Sequence, residues 1–226
     1  MNIIAIDTST ETLGICLKAD DIILRISHKA NFKHAEALAP WVEKLCTEAD
    51  IKPGQLSLII ASIGPGSFTG LRIGLATAKG LAMGAACPIT GVPTLDAIAW
   101  THNYFKGTVI PVINAKKNRL YSAFYQNDQR ISEYLDISAE DLALKTKNLS
   151  DLLITGPYAD EFYTVLKKRL KTSNIFLDPD FSLINTYSLL QKGVILYNKS
   201  GMKNEDVFPL YLRKSEAELS LSKESK

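Results

Sequence analysis

The chain has 226 residues, which is enough for one large domain or two smaller ones with real cores. Apolar residues make up 46% and charged residues 22%, as in an ordinary globular protein, and the net charge of +2 does not by itself indicate nucleic-acid binding. No apolar run approaches the roughly 18 residues of a membrane-spanning helix, and we expect no signal peptide because Asp7 interrupts the first apolar run. The 3 cysteines are odd in number and far apart, which predicts buried free thiols in a cytoplasmic protein.

The start of the chain reads as strands joined by polar turns. Apolar runs at 2–7, 13–17 and 22–26 are separated by the short polar segments 8–12 and 20–21. Connections this short predict two successive antiparallel hairpins. The first run is nearly all apolar, which is typical of a central strand that is covered on both faces.

A helix is predicted next, because the apolar period changes from two to three or four between Lys33 and Ala49. Pro40 falls inside this segment, so we expect either a kink there or a helix start near it. Trp41 lies on the apolar side of the helix. Core packing is the default interpretation for it, and contact with a partner is the alternative.

A glycine-rich stretch at 63–82 follows a predicted buried strand at 58–61, and the rest of the chain is organised around it. Gly64, Pro65 and Gly66 predict a tight turn into a helix that Ser67 or Thr69 can cap. Small residues then recur every four positions in two rows: Gly70, Gly74 and Ala78, and Ala76, Gly80 and Gly84. We therefore expect a helix packed tightly on a sheet, with one face left for a partner; the alternative is that the glycines serve internal packing only.

The pattern begins again in the second half of the chain. After a strand at 88–92 and a short helix at 95–100 capped by Thr94, strands are predicted at 108–113, 120–125 and 133–135, then a helix at 139–145 and a strand at 151–155. Two halves that each begin with strand–turn–strand and then gain helices predict duplicated α/β lobes. We expect a first lobe at 1–105, a smaller second lobe at 106–214 and a disordered tail at 215–226.

A nucleotide or anion cleft is one hypothesis for the chemistry of the chain. It would be built from a hydroxyl-rich turn at the end of the first strand and from the glycine turn, with these candidate residues: Asp7, Thr8, Ser9, Gly64, Gly66 and Ser67. Neither turn contains Lys or Arg, and the chain has no Gly-Lys dipeptide, which excludes a Walker A loop. The alternative is that these polar groups only stabilise the turn.

Other catalytic classes find no support in the sequence. The histidines His28, His34 and His102 have no metal-ligand spacing, and no G-x-S-x-G motif is present. We therefore expect no metal, no cofactor and no catalytic residue. The basic run Lys167–Lys171 follows apolar helical positions, and it is interpreted as a solvated helix face, with contact to an RNA backbone as the alternative.

Several motifs resemble the TsaB (YeaZ) family. They are Asp7-Thr8-Ser9-Thr10, the segment 34–40 (His-Ala-Glu-Ala-Leu-Ala-Pro), the glycine-rich block up to Ala82, and the segment 91–97 (Gly-Val-Pro-Thr-Leu-Asp-Ala). Weaker similarities to the same family occur at 114–116, 120–121 and 209–213. At 114–116 the chain has Asn-Ala-Lys where the family commonly has Asp-Ala-Arg, which weakens any role for an acid there.

The resemblance implies a fold, a role and partners. The fold is the α/β, actin/Hsp70-like (ASKHA) duplicated two-lobe fold, with ribonuclease H-like lobes and mixed sheets. The role is that of a non-catalytic dimerisation and scaffold subunit in the complex that adds threonylcarbamoyl to the adenosine beside the anticodon of tRNAs reading ANN codons. The implied partners are the catalytic subunit TsaD and the ATPase TsaE, with tRNA contacted through the complex, and a homodimer forms when the chain is alone.

The same resemblance suggests why this chain would not be the catalyst. Proteins like TsaD hold their metal partly through two histidines four apart, and the matching positions here are Thr94 and Ile98. Threonine is a poor metal ligand, and isoleucine cannot be a ligand at all. We expect a partner interface instead, formed by His34, Leu38, Trp41, Arg72, Gly74, Leu75, Ala78 and Lys79. The rival hypothesis is an active ATPase or small-molecule kinase of the same fold that uses Asp7.

Overall fold

The computed structural model describes residues 1–30, 33–170, 174–180, 185–200 and 207–213. The strands are β1 (Ile3–Asp7), β2 (Thr12–Ala19), β3 (Ile22–Lys29), β4 (Leu58–Gly64), β5 (Ile89–Pro93), β6 (Thr108–Asn114), β7 (Leu120–Ser122), β8 (Tyr125–Gln126), β9 (Gln129–Arg130), β10 (Leu135–Ile137), β11 (Leu152–Thr155) and β12 (Ile175–Leu177). The helices are α1 (His34–Glu48), α2 (Phe68–Gly84), α3 (Thr94–Trp100), α4 (Ala139–Lys145), α5 (Ala159–Arg169) and α6 (Thr186–Ser200). These elements form two mixed sheets with helices packed on them. The tail predicted to be disordered, 215–226, lies outside the described residues.

The first sheet has the strand order β3-β2-β1-β4-β5. The first three strands are antiparallel neighbours, as the two predicted hairpins require, while β4 and β5 run parallel to β1. Every residue of β1 is buried, because helices cover both faces of the sheet at its centre. The nearly continuous apolar sequence of β1 follows from this burial on both sides.

The second sheet repeats this topology. Its main path is β10-β7-β6-β11-β12, so its five strands take the same places, by order of appearance, as those of the first sheet. Again the first three strands are antiparallel neighbours and the last two run parallel to the first. The short β8–β9 hairpin pairs with β6 as a side branch. The repetition confirms the duplicated mixed α/β fold, and the lobe boundaries stay a prediction.

Helices cover the first sheet on both faces. On one face, α1 and α2 pack together over a large apolar core. On the other face lies α6, whose Gly193 has no room for a side chain because an added Cβ would lie 2.5 Å from Ile60. A helix late in the chain therefore covers the second face of the first sheet.

Two local predictions were wrong, and a third was half excluded. The helix α1 begins at His34 and contains Pro40, so a helix start near Pro40 is excluded and a kink there stays a prediction. Thr94 is the first residue of α3 rather than its cap, and its hydroxyl accepts no cap hydrogen bond. The predicted strand at 120–125 is split into β7 and β8.

Candidate functional site

The turn after β1 lies beneath the N-terminal end of α2. The carboxylate oxygen Oδ1 of Asp7 accepts hydrogen bonds from the backbone N–H of Ser9 (2.8 Å), the hydroxyl of Ser9 (2.6 Å) and the hydroxyl of Ser62 (2.9 Å). The hydroxyl of Thr8 donates to the carbonyl of Gly70 at 2.8 Å. Asp7, Thr8 and Ser9 are each only 1% exposed. The turn is therefore a buried polar network whose groups bond to one another and to α2.

Glycines allow α2 to lie directly on this turn. A Cβ added to Gly66 would lie 2.4 Å from the carbonyl oxygen of Ser9, and one added to Gly70 would lie 2.1 Å from the carbonyl oxygen of Thr8. At Gly74 the added atom would lie 2.0 Å from the hydroxyl of Thr8. Real Cβ atoms do not approach other atoms so closely, so this row of small residues serves packing within the chain.

The six residues predicted to bind an anion are brought together, and several of their polar groups already have protein partners. The backbone N–H of Ser67 donates to the carbonyl of Ser9 at 2.7 Å, and the Ser67 hydroxyl caps α2 by accepting from Gly70 at 3.2 Å. Gly64 has a φ of +109°, and an added Cβ would lie 2.7 Å from the carbonyl oxygen of Leu210. An anion would have to displace these contacts, and the anion site stays a prediction.

The opposite side of α2 is open to solvent. Ala76, Gly80 and Gly84 are exposed, Met83 is 82% exposed, and a Cβ added to Gly80 or Gly84 would meet nothing within 4 Å. We call this surface the open face of α2. A groove of about 500 Å³ lies against it, lined by Pro53, Gly54, Thr77, Gly80, Leu81, Gly84 and Ala85.

The structure divides the predicted interface residues into two groups. Five of them are buried within the chain: His34, Leu38, Gly74, Leu75 and Ala78. They contribute to the core between the sheet and the two helices and lie beneath the surface, so their placement at the centre of an interface needs correction. Trp41, Arg72 and Lys79 reach solvent. The partner interface itself stays a prediction, and it is now carried by these three residues and the open face of α2.

A segment at 207–213, which we call the strap, runs along the flank of α2 and connects the lobes. Leu210 donates its backbone N–H to Ile63 at 2.7 Å, and the ring of Tyr211 stacks on Phe68 with centroids 4.7 Å apart. Arg72 and Lys79 hold the same side of the helix against the strap, since Arg72 donates to the hydroxyl of Tyr211 at 3.1 Å and the ammonium of Lys79 lies 5.1 Å from the ring of Phe208. Sequence reasoning noted part of this segment as a motif but assigned it no role.

The far end of the strap is fixed to the second lobe by a carboxylate. Arg213 donates to both oxygens of Asp136 at 2.9 and 2.8 Å, and Arg119 donates to one of them at 2.7 Å. Burial by itself would raise the pKa of Asp136, but the hydrogen bonds from Arg213 and Arg119 hold it below its usual value. The acidic and basic partners are separated by 77 residues in sequence, so no local pattern could have identified them.

A second polar contact joins α3 to the second lobe. Tyr125 and Tyr134 donate their hydroxyls to the same carboxylate oxygen of Asp96, at 2.6 and 2.8 Å. Burial raises the pKa of both phenols, and the nearby Asp96 raises it further. Both tyrosines therefore stay protonated donors at neutral pH. Together with the strap, this contact holds the two lobes in one arrangement.

The side chains of Thr94 and Ile98, which the resemblance matches to metal-binding histidines, do not fit a metal. The hydroxyl of Thr94 is buried and has no hydrogen-bond partner among the described residues, and Ile98 packs against the apolar cluster around Leu95. Neither side chain offers a nitrogen, thiolate or carboxylate ligand. Across the described part of the chain, no group of three or more His, Cys, Asp or Glu side chains is placed to hold a metal ion.

The duplicated sheet topology and the glycine turn above Asp7 define a class of protein with ribonuclease H-like lobes, the actin/Hsp70-like fold. A family model described as "TsaD: tRNA N6-adenosine threonylcarbamoyltransferase" matches residues 26–194. The chain therefore belongs to this family.

Its relatives carry the name that the motifs suggested. A "tRNA threonylcarbamoyladenosine biosynthesis protein TsaB" from Bacillus subtilis is 38% identical over 127 residues, 56% of either chain, and the Escherichia coli protein of the same name is 35% identical over 57% of either chain. The chain thus spans about half the length of these curated relatives. A Pseudomonas aeruginosa structure described as similar to peptidase YEAZ superposes with a TM-score of 0.79 over 94% of this chain and 99% of that one, at 24% identity, which shows the shared fold. The resemblance to TsaB (YeaZ) is confirmed. In the part of the chain that is described, no helix is long and apolar enough to cross a membrane.

Proposed function

We propose that the chain is a non-catalytic subunit of the complex that adds the threonylcarbamoyl group to the adenosine beside the anticodon of tRNAs reading ANN codons. In this role it binds and supports the catalytic subunit TsaD, and the ATPase TsaE joins them. The names of the relatives and the family match support the pathway. The observation that carries the non-catalytic role is the closed turn at Asp7.

The turn supports this role because a phosphoryl-transfer enzyme needs room and free donors at that place. Here one oxygen of Asp7 accepts three hydrogen bonds, and α2 lies directly on Thr8 and Ser9. The resemblance matches Thr94 and Ile98 to the metal-binding positions of the catalysts, and neither side chain supplies a suitable ligand. The chain thus keeps the fold, while its turn at Asp7 is bonded within the chain and these two positions lack metal ligands.

The docking surface that we propose combines the exposed sides of α1 and α2, which are neighbours on the same face of the first sheet. The open face of α2 has only small side chains at Ala76, Gly80 and Gly84, so a helix of a partner can approach its backbone closely. Met83 adds an exposed flexible apolar side chain that adapts to a partner surface. The buried glycines at Gly70 and Gly74 place α2 but do not meet the partner.

Charge on the same surface supports a homodimer when the catalytic subunit is absent. The exposed side of α1 carries Glu36, Glu43 and Glu48 against one cation, Lys44, whereas α2 contains no carboxylate and carries Arg72 and Lys79 beside the strap. A two-fold axis between copies would place α1 of each against α2 of the other, which brings opposite charges together. We propose that TsaD replaces this second copy on the same surface.

Depletion of the protein in its host tests the proposed function. Nucleosides from total tRNA are then quantified by mass spectrometry, and we expect threonylcarbamoyladenosine to fall severalfold, with rescue by the wild-type chain. Unchanged modification in depleted cells would overturn the proposal.

Phosphate release by the purified chain tests the rival hypothesis of an active ATPase or kinase. We expect no hydrolysis above that of an Asp7→Asn variant, since the Asp7 carboxylate is committed to the turn. Turnover that is abolished by this substitution would support the rival and contradict the non-catalytic role.

A further inference from the structure

One edge of the second sheet collects cations from three separate connections. The strands β6, β11 and β12 are parallel neighbours that begin level with one another, since Leu152 lies opposite both Thr108 and Ile175. The backbone N–H of Thr108 donates to Asp151 at 2.9 Å and that of Leu152 donates to Asn174 at 2.8 Å, so the three chain segments entering the sheet lie side by side. We call this the basic edge, and its cations are Lys106, Lys145, Lys147, Lys167, Lys168 and Arg169.

The connectivity brings these cations together. The helix α4 leads from the end of β10 to the start of β11, and α5 leads from the end of β11 to the start of β12. Because β10, β11 and β12 all run in the direction of β6, both helices run the opposite way and end at the basic edge. The two helices also contact each other through the apolar cluster of the second lobe.

The positive charge of this edge is exposed and little compensated. All six cations are exposed, and none of them has an acidic ion-pair partner among the described residues; the ammonium of Lys167 lies 5.3 Å from the centroid of the Tyr163 ring. The carboxylates on the same helices lie in their first turns, at the other end of the sheet. The two carboxylates near the edge already accept from neighbours: Asp151 from Asn174 at 2.9 Å and Asp128 from Lys192 at 3.3 Å.

Helix electrostatics explain only part of this arrangement. Basic residues in the last turn of a helix are favoured by the helix dipole, which accounts for Lys145 and for the run in α5. Lys147 follows the last residue of α4 by two positions and donates its backbone N–H to Leu144, so it shares this effect. Lys106 lies outside any helix, and the dipole gives no reason for it to be there. A single ligand that contacts all six cations would explain why they lie together.

An exposed aromatic ring accompanies the cations. Tyr104, two residues before Lys106, is 74% exposed. Phe176 in β12 is 49% exposed, but it contacts Phe105 on the face of the sheet opposite to α5, since its neighbours Ile175 and Leu177 pack with α5. Cations that contact phosphates together with aromatic faces that stack on bases are the features of surfaces that bind single-stranded nucleic acid.

We propose that the basic edge binds RNA, with its cations on the phosphate backbone and Tyr104 stacked on an unpaired base. The inference rests on the proposed function, which makes tRNA the RNA in question. It gives the chain a direct tRNA contact on the second lobe, on a different sheet from the docking surface of α1 and α2. A single tRNA can therefore be held by this chain while the partner occupies the first lobe.

Titration of an unmodified tRNA transcript with the purified full chain, at several salt concentrations, tests the proposal. One variant reverses the run in α5 (K167E/K168E/R169E), and a second reverses the two cations outside the helix bounds (K106E/K147E). The matched control is R25E/K29E/K52E, which reverses three exposed cations of the first lobe. We expect binding to weaken about tenfold or more for the first variant and severalfold for the second, and the dependence of log K on log salt to lose about one unit of slope for each contacting cation removed. The control should change affinity less than about threefold, because it removes long-range charge only.

The outcomes separate this inference from its alternatives. If the control loses as much tRNA affinity as the two edge variants, net charge alone explains the effect and the proposal is overturned. A wild-type chain that binds no tRNA would also overturn it. A chain that sediments with phosphatidylserine vesicles but leaves tRNA free would assign the edge to membranes instead. Y104A should weaken binding about fivefold or more with an unchanged salt slope, since stacking is not ionic. If depletion abolishes the modification while the edge variants bind tRNA normally, the proposed function stands and this inference fails. If the modification is unchanged while tRNA binding depends on the edge cations, the proposed function fails and the RNA-binding edge stands.

Discussion

The two sides of α2 have the same four-residue spacing of small residues, but one side packs in the core and the other faces solvent. Gly70, Gly74 and Ala78 face the core, where added side-chain atoms at the glycines would collide with Thr8. Gly80 and Gly84 face solvent, where an added Cβ would meet nothing within 4 Å. Small residues are spaced four apart in both rows. This spacing indicates that another part of the protein or a partner lies close to the helix, but it does not indicate which. The turn at Thr8 explains the first row, and nothing in the described chain explains the second.

This difference gives the open face its significance. Each glycine inside a helix costs about 0.8–1 kcal/mol relative to alanine, and a folded chain has no internal reason to bear that cost at Gly80. A partner helix that needs close approach supplies the reason. The predictions below test whether the two sides of α2 differ as the structure requires.

The largest expected effect is on the buried row. G70A should lower the free energy of unfolding by about 2–3 kcal/mol, because the new methyl group would lie 2.1 Å from a backbone oxygen that cannot rotate away. Urea denaturation followed by circular dichroism measures it. G80A is the matched control, since it makes the same chemical change on the same helix. A G70A variant as stable as the wild type would show that the turn does not lie against α2.

A smaller loss is expected when the strap is released from the second lobe. D136N should lower the free energy of unfolding at pH 7 by about 1–2 kcal/mol, since it removes the charge that Arg213 and Arg119 bind. The folded-state pKa of Asp136 lies below its ordinary value of 3.8, so this stabilisation is present above about pH 4 and is lost as the pH falls through the folded-state pKa. The difference between wild type and variant should therefore shrink in acid. A difference that is constant from pH 7 to pH 3 would rule out the ion pair as its cause.

The smallest effect has the opposite sign. G80A should raise the free energy of unfolding of the isolated chain by about 0.5–1 kcal/mol, because alanine favours the helix and the added methyl group meets no neighbour. Thermal and urea unfolding of the same preparations measure the gain. Destabilisation by G80A would mean that both sides of α2 are packed within the chain.

Much of the fold could be predicted from the periodicity of the sequence. The three strands at the start, the capped glycine turn and the restart after residue 106 all follow from local patterns, and Ser67 is the cap of α2 as expected. The helix α6 was not predicted, since its packing on the first sheet depends on contacts with strands far earlier in the chain, β1, β4 and β5. The strap was missed as a link for the same reason.

The candidate site was harder to predict than the fold. The residues of the two turns were grouped correctly, yet the sequence does not show that they bond to one another. The orientation of α2 could have been predicted from the sequence. Leu71 and Leu75 indicate the core-facing side, and Gly74 and Ala78 lie on that side of a helix with 3.6 residues per turn. Counting rows of small residues without this orientation placed buried residues in the predicted interface.

The central claim is that the open face of α2 docks the catalytic subunit, and copurification of the two subunits after a bulky substitution there measures it most directly. G80L, whose side chain would project into solvent in the isolated chain, is compared with the wild type and with L144A, which trims an exposed leucine of the second lobe. The account predicts that the G80L chain is monomeric and at least as stable to unfolding as the wild type, but recovers less than about a tenth of the TsaD. Full recovery of TsaD by folded G80L would contradict the account.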